Sequence, residues 1–505
     1  MRIKKALINS SINLLSFILV FIPNLYIRKL FLESLGSDIL GLSSLYTNII
    51  GWLSVVEMGV GVAIIYSLYE PFAYNDQNKI RAYIRFYGKF YRAVGIIMLV
   101  SGVIISPFIK VFIKGQVDPK LASIGFLLFL INSFISYLFS HRICILNVAQ
   151  EAYKISIGTT ISKLIMFLLQ LIMLKVYPSF ILYILIQLVI NLVYFIAINM
   201  YVNKKYPWIR RGDGKLEGEE KKELLRNVKA MFMHKIGGVV VLSTDNIIIS
   251  KFIGLISLAK YTNYYTIIQA VQSLITTGIN GITASIGNMI VEDDASKVYS
   301  IHKKVFFLNY WISSLAVISL YNTLNQFISL WLGSFNILDS LTFIVILINL
   351  YFSLMRASVE RFQDGSGRFY EDRYAPVFES FINLVTSIIL VKHLGLAGVL
   401  IGTLISNFLV IFWTKPYVIY KYVFKERLIK YFEMYFKYTS IGIIVLVITN
   451  YLSMPFKFNY TLTYFIVNCI LNVVSINIIY IIIFWRTDEF KYYFKLLKEI
   501  ISKDR

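Results

Sequence analysis

Cysteine is nearly absent: Cys144 and Cys469 are the only two in 505 residues, each in or beside an apolar run and far from the other. That excludes a disulfide framework and a thiolate metal centre. Histidine is as sparse, and His141, His234, His302 and His393 are so dispersed that no spacing marks a His-based site. No Gly-rich loop ends in Gly-Lys-Ser/Thr, and no acid pair sits in a soluble stretch. The chain is therefore expected to be no enzyme, to hydrolyse no ATP itself, and to carry no cofactor or metal. The longest polar segment, 203–231, reads as a linker between halves. The acidic Glu292-Asp293-Asp294 triplet reads as a solvated loop, since hard metals need converging ligands.

Acidic residues are also scarce, 28 against 50 Lys and Arg, for a net charge of +22. So basic a chain raises the question of nucleic acid. Here the cations are scattered over short segments between apolar runs, with no soluble domain to carry them. Membrane orientation and anionic lipid explain them better, and no nucleic-acid partner is expected.

What is plentiful is apolar surface: 57% of residues are hydrophobic and 16% aromatic, with a mean hydropathy of +0.68. A soluble chain of this length would split into domains, so the class is an all-α polytopic membrane protein. A span needs about 20 apolar residues. On that measure the runs are 8–30, 42–68, 91–112, 121–141, 157–176, 179–201, 232–254, 262–290, 305–325, 340–361, 376–392, 395–415, 436–454 and 461–485, about fourteen helices. The first lacks a small-residue cleavage site and ends in Arg28-Lys29, which marks a retained span rather than a signal peptide. Placing both termini in the cytoplasm puts the large majority of Lys and Arg on that side, including the whole of 203–231, and leaves 325–339 outside without any.

Several spans carry polar stripes at helical spacing. The eighth has Gln269, Gln272, Thr276, Asn280, Thr283 and Gly287, and the second has Thr47, Gly51, Ser54, Glu57 and Gly61. The tenth has Asn349, Ser353, Arg356 and Glu360, and the first has Asn13, Ser16, Asn24 and Arg28. Small and amide residues can simply glue helices together, each bond worth about 1 kcal/mol. Charges near the midplane cost roughly 3 kcal/mol or more and are kept facing a wet cavity or a partner. The stripes are therefore the expected substrate-cavity residues: Arg28, Ser54, Glu57, Gln269, Gln272, Thr276, Asn280, Asn349, Ser353, Arg356 and Glu360. His234 shares a face with Gly238 and Asp245, a pattern that suits an ion-coupling relay or a polar packing patch.

A shift of 217 or 218 residues lays Leu35-Gly36 on Ile253-Gly254, Leu40 on Leu258, Tyr46 on Tyr264, Asn132 on Asn349 and Ser136 on Ser353. The shift moves a span by six, so it predicts two six-helix lobes of like orientation, related by a pseudo-two-fold along the membrane normal, plus two extra helices. The expected organisation is a lobe at 1–202, a cytoplasmic linker at 203–231, a second lobe at 232–415, and spans thirteen and fourteen with a basic tail at 416–505.

One stretch carries more specific residues. After Gly367 come Phe369, Asp372-Arg373-Tyr374, Pro376, Glu379, Asn383-Leu384 and Ser387-Ile388, then Gly395-Leu396, Gly398-Val399 and Ile401-Gly402-Thr403. The short Gly-marked turn at Leu394-Gly395 predicts an antiparallel helical hairpin. Near the other end stand Leu35-Gly36, Leu40-Gly41-Leu42, Glu57-Met58-Gly59-Val60-Gly61 and Tyr69-Glu70-Pro71. Together these resemble the polysaccharide repeat-unit flippases (O-antigen or capsular) of the multidrug/oligosaccharidyl-lipid/polysaccharide exporter superfamily.

The resemblance implies a multi-pass protein of the bacterial cytoplasmic membrane whose lobes rock to open a cavity to alternate sides. Its implied substrate is an undecaprenyl-diphosphate-linked oligosaccharide moved to the outer leaflet, with a polymerase and other assembly proteins as partners beside membrane lipid. Cavity arginines would neutralise the diphosphate and the polar stripes would hydrogen-bond sugars. A flippase for another lipid-linked precursor, a drug/cation antiporter of the same superfamily and a membrane polysaccharide polymerase are the competing readings. An antiporter would favour acidic cavity residues, and a polymerase would need a substantial outer loop.

Overall fold

The computed structural model describes the chain apart from residues 1, 55–59, 116, 211–215, 217, 219–220, 223, 225–242, 281–282, 458 and 504–505. Its regular structure is helical: α1 (Arg2–Leu53), α2 (Val60–Ala73), α3 (Gln77–Ile105), α4 (Pro119–Val148), α5 (Ala152–Val176), α6 (Phe180–Lys205), α7 (Leu255–Asn280), α8 (Thr283–Glu292), α9 (Ala295–Leu332), α10 (Ser340–Ser366), α11 (Ala375–Ser406), α12 (Phe412–Ile419), α13 (Ile429–Lys457), α14 (Leu462–Phe484) and α15 (Asp488–Lys503). Ten helical segments among the described residues are long and apolar enough to cross a membrane.

Fourteen runs become ten segments because two pairs merge through a glycine, the seventh run is only partly described, and the eighth, 262–290, is divided between α7 and α8 and is not among the ten. Helix α11 contains Gly395 at φ 57°, ψ −132°, and the chain doubles back there. Asn383 Nδ2 donates to Thr403 Oγ1 at 3.0 Å, and Ser387 Oγ donates to the Val399 carbonyl at 3.0 Å. A Cβ on Gly398 would overlap the Leu390 carbonyl, so the two limbs meet at backbone distance. This is the hairpin expected from the Gly395 turn. Helix α1 repeats the device at Gly36, φ 85°, ψ 169°: Asn24 and Arg28 before it line the same cavity as Ser43, Ser44 and Thr47 after it. Of the seventh run, 232–254, the first part, 232–242, lies outside the described residues.

Internal packing divides the chain into two units, Met1–Ala259 and Lys260–Arg505. In the first, Tyr46 is fully buried among Phe126, Phe129 and Phe180, and its hydroxyl donates to the Ala122 carbonyl at 2.6 Å. In the second, Tyr264 is equally buried against Phe343. Its hydroxyl reaches Asn325 Oδ1 at 2.5 Å and accepts from the Leu338 amide at 3.3 Å. These are the two tyrosines that the sequence shift superposes. Other details recur in the same register. Gly254 has φ 131°, ψ 170°, close in ψ to Gly36. Asp76 caps α3 by accepting from the Lys79 amide, and Asp294 caps α9 by accepting from the Lys297 amide, both at 3.0 Å. Such carboxylates occupy orphan amides of the first helical turn.

The second unit holds an extended aromatic core. Phe306, Phe307 and Tyr310 of α9 pack with Tyr438 of α13 and with Tyr480 and Phe484 of α14. Beside it runs a buried amide network. Asn322 donates to Asn472 at 2.6 Å and to Thr449 at 3.1 Å, Asn468 donates to Gln326 at 3.1 Å, and Asn472 donates to Ser453 at 2.9 Å. Amides in an apolar surrounding are costly unless satisfied, so this network selects one docking register for α13 and α14 on α9.

Candidate functional site

The tenth-span stripe falls on α10. Arg356 and Glu360 stand one turn apart, with Nε donating to Oε1 at 2.9 Å. Lys415 of α12 donates to the same oxygen at 2.5 Å, and Glu379 of α11 lies within electrostatic reach of both cations. Arg356, Glu360 and Lys415 keep about a fifth of their side-chain surface accessible, at 23%, 22% and 22%. Two cations and two carboxylates thus form a balanced cluster in membrane-spanning helices. Neutralisation is what makes charge tolerable at such a place.

From this cluster a polar ladder runs along α10 and α7. Ser353, one turn from Arg356, accepts from Gln272 Nε2 at 2.9 Å, and Gln269 Nε2 donates to Gln272 Oε1 at 3.1 Å. Gln269 is exposed. Amides of this kind donate and accept together, which suits hydroxyl-rich ligands. The structure therefore brings together Gln269, Gln272, Ser353, Arg356 and Glu360 from the sequence set. Asn349 is engaged otherwise: its Nδ2 donates to the Leu400 carbonyl at 3.0 Å and ties α10 to α11. Thr276 bonds the Gln272 carbonyl of its own helix at 2.9 Å. Asn280 ends α7, and its side chain lies outside the described residues.

Arg28 belongs to a second site, within the first unit. With Asn24, Ser43, Thr47, Tyr183 and Gln187 it lines a cavity of about 270 Å³. Ser54 directly follows α1, its hydroxyl on the Gly51 carbonyl at 2.8 Å. Glu57 and His234 lie outside the described residues. Asp245 is buried in the first unit beside Asn246, whose amide donates to Asn48 at 2.9 Å. Among the described residues no group of acidic, histidine and cysteine side chains is arranged to hold a metal.

Two members of the cluster were not singled out by the stripes. The sequence reading ends the twelfth span at Lys415, whereas helix continues to Phe424, which places Lys415 inside it. A lone lysine before Pro416 in an apolar run was the available signal. Glu379 shows only as part of the Pro376 motif, and a stripe along one helix cannot reveal a partner on the next.

No family model matches the chain, and no curated protein matches its sequence. Its fold does have solved counterparts. A structure described as lipid II flippase MurJ in an inward closed conformation superposes with a TM-score of 0.68 at 15% identity, covering 95% of this chain and 99% of that one. An inward-facing multidrug resistance MATE family transporter of the MOP superfamily gives 0.63 at 14% identity, over 82% and 98%. An outward-facing form described in the same words gives 0.51 at 15%, over 80% and 94%. The chain has the fold of this superfamily's polytopic membrane proteins.

Proposed function

We propose that the protein is a flippase that moves a polyprenyl-diphosphate-linked oligosaccharide from the cytoplasmic to the outer leaflet by alternating access, for assembly of a surface polysaccharide. The observation that carries this reading is the Arg356–Glu360–Lys415 cluster beside the Gln269–Gln272–Ser353 ladder. It pairs a site for an anionic head with hydrogen-bonding groups for sugars. The planar guanidinium suits two phosphate oxygens at once. The fold likeness to a lipid II flippase and the motif after Gly367 support the same class. Because its charges balance, the cluster fits a cation exporter less well, since such a site would carry an excess of carboxylate.

The reading places both termini and 203–231 in the cytoplasm, with two lobes bounded at 1–202 and 232–415. Asp245 with His234 is retained as a candidate ion-coupling pair. The test is reconstitution of the purified full chain in vesicles loaded with a lipid-linked oligosaccharide, sidedness being read by an impermeant sugar oxidant. Protein-dependent exposure of the sugar to the opposite face is the expected result. Export of a lipophilic cation with no movement of the lipid-linked sugar would replace this reading by the antiporter one.

A further inference from the structure

Helices α3 and α9 begin at capping aspartates in equivalent register, so Lys89 corresponds to Phe307 and Arg92 to Tyr310. In the second unit these positions are buried. Phe307 packs on Phe484 with centroids 5.2 Å apart, and the Tyr310 hydroxyl meets that of Tyr480 at 3.2 Å. Helices α13 and α14 thus cover this face of α9. In the first unit the same positions are exposed cations. Lys89 and Arg92 line a cavity of about 840 Å³ with Arg85, His141 and Arg142. Among the described residues this lining holds no carboxylate. The His141 ring closes one wall by lying against Gly88, where a Cβ would meet it at 2.9 Å. Further along α3 the surface turns apolar: Ile97, Val100 and Ile104 are 55%, 52% and 62% exposed. From Arg92 to Ile104 the helix rises about 18 Å, roughly one leaflet of hydrocarbon.

A basic cavity at one end of a bare apolar helix face matches a phospholipid in both halves, headgroup and acyl chain. We infer that this face of α3 binds an anionic phospholipid, its phosphate held by Lys89, Arg92 and Arg142 and its acyl chains lying along Ile97, Val100 and Ile104. The lipid occupies on α3 the kind of place that α13 and α14 occupy on α9. Basic pockets between spanning helices hold anionic headgroups by charge neutralisation, and each cation near the surface contributes to the affinity. The inference does not depend on what the protein transports.

The full chain purified in detergent would be titrated with phosphatidylglycerol or phosphatidylethanolamine, with bound lipid counted by native mass spectrometry. Phosphatidylglycerol should bind at least about tenfold more tightly. Lys89→Gln/Arg92→Gln should abolish that preference, Lys89→Arg/Arg92→Lys should keep it, and Lys491→Gln/Lys495→Gln on α15 should leave it intact. If the double Gln variant loses its melting transition, Lys89→Gln alone is read. Unchanged preference in the Gln variants, or equal binding of the two lipids by the native chain, would overturn the inference. Complete displacement of phosphatidylglycerol by millimolar inorganic diphosphate would also overturn it, and would assign the cavity to a soluble phosphate compound.

Discussion

Arg356 and Lys415 converge on a single carboxylate oxygen, Oε1 of Glu360, from 2.9 and 2.5 Å. One oxygen therefore serves two cations contributed by helices on either side of the Gly395 hairpin. Removing the carboxylate leaves two positive groups facing each other, whereas removing Arg356 leaves the Lys415 pair in place. Glu360→Gln is expected to destabilise the protein more than Arg356→Gln, by on the order of 2 kcal/mol, read as loss of melting temperature in detergent. Equal melting of the two variants would count against this arrangement.

Transport separates the variants differently. If Arg356 grips a phosphate, Arg356→Gln should lose most translocation at normal protein level, and Arg356→Gln/Glu360→Gln should not recover it. The double variant still keeps Lys415 opposite Glu379, so its charge remains balanced. Arg356→Lys should recover part of the activity, because it keeps the charge and loses the planar fork. Full recovery by the double variant would reduce Arg356 to a partner for Glu360.

The buried network of Asn322, Asn468 and Asn472 attaches α13 and α14 to α9, and these amides are expected to hold helices rather than substrate. Asn472→Ala should lower thermal stability by on the order of 1 kcal/mol while translocation per folded molecule is unchanged. A selective loss of transport at normal melting temperature would place these helices on the substrate path.

Helix packing at the Gly395 hairpin leaves no room for a side chain at position 398, where a Cβ would overlap the Leu390 carbonyl. Gly398→Ala should sharply reduce the folded yield. Gly278→Ala is the control, since nothing lies within 4 Å of a Cβ there, and alanine should gain about 0.5–1 kcal/mol in a helix. Similar membrane abundance of both variants would refute the close approach.

Topology is testable with accessible positions. Phe335 is 67% exposed while Asn336 is buried, so a cysteine at 335 is the better reporter of the outer side. In a chain with Cys144 and Cys469 replaced by Ser, an impermeant maleimide should label Phe335→Cys in intact cells. Lys215→Cys should react only after permeabilisation. The reverse pattern would invert the orientation proposed here.

Glu151 precedes α5 and accepts from both Lys154 and Lys205. Burial alone would raise its carboxyl. The two ammonium hydrogen bonds outweigh that and hold it below its ordinary value of 4.5. A depressed carboxylate adds stability above its unfolded pKa and loses it as pH falls through the folded value. The native chain should therefore lose stability relative to Glu151→Gln as pH drops below about 4.5, with melting temperatures drawing together. A constant difference down to pH 3 would argue that the pair adds nothing.

The sequence by itself determined the class, most of the spans, the hairpin at Gly395 and the repeat. Each rests on a local property: apolar length against bilayer thickness, a glycine at positive φ, or a chain compared with itself. The repeat survives in the buried aromatic settings of Tyr46 and Tyr264, although their hydroxyls take different partners. Periodicity along α10 was also enough to align Ser353, Arg356 and Glu360, because one helix face is a matter of counting. Tertiary structure decided which polar residues meet. Asn349 shares the stripe with Arg356 yet ends on the Leu400 carbonyl, a contact set by the hairpin limb that packs there. Lys415 and Glu379 join the cluster from neighbouring helices, and no spacing within α10 could have pointed to them. Lys89 and Phe307 hold equivalent places in the repeat with opposite surroundings, because only one of the two helices has α13 and α14 packed against it.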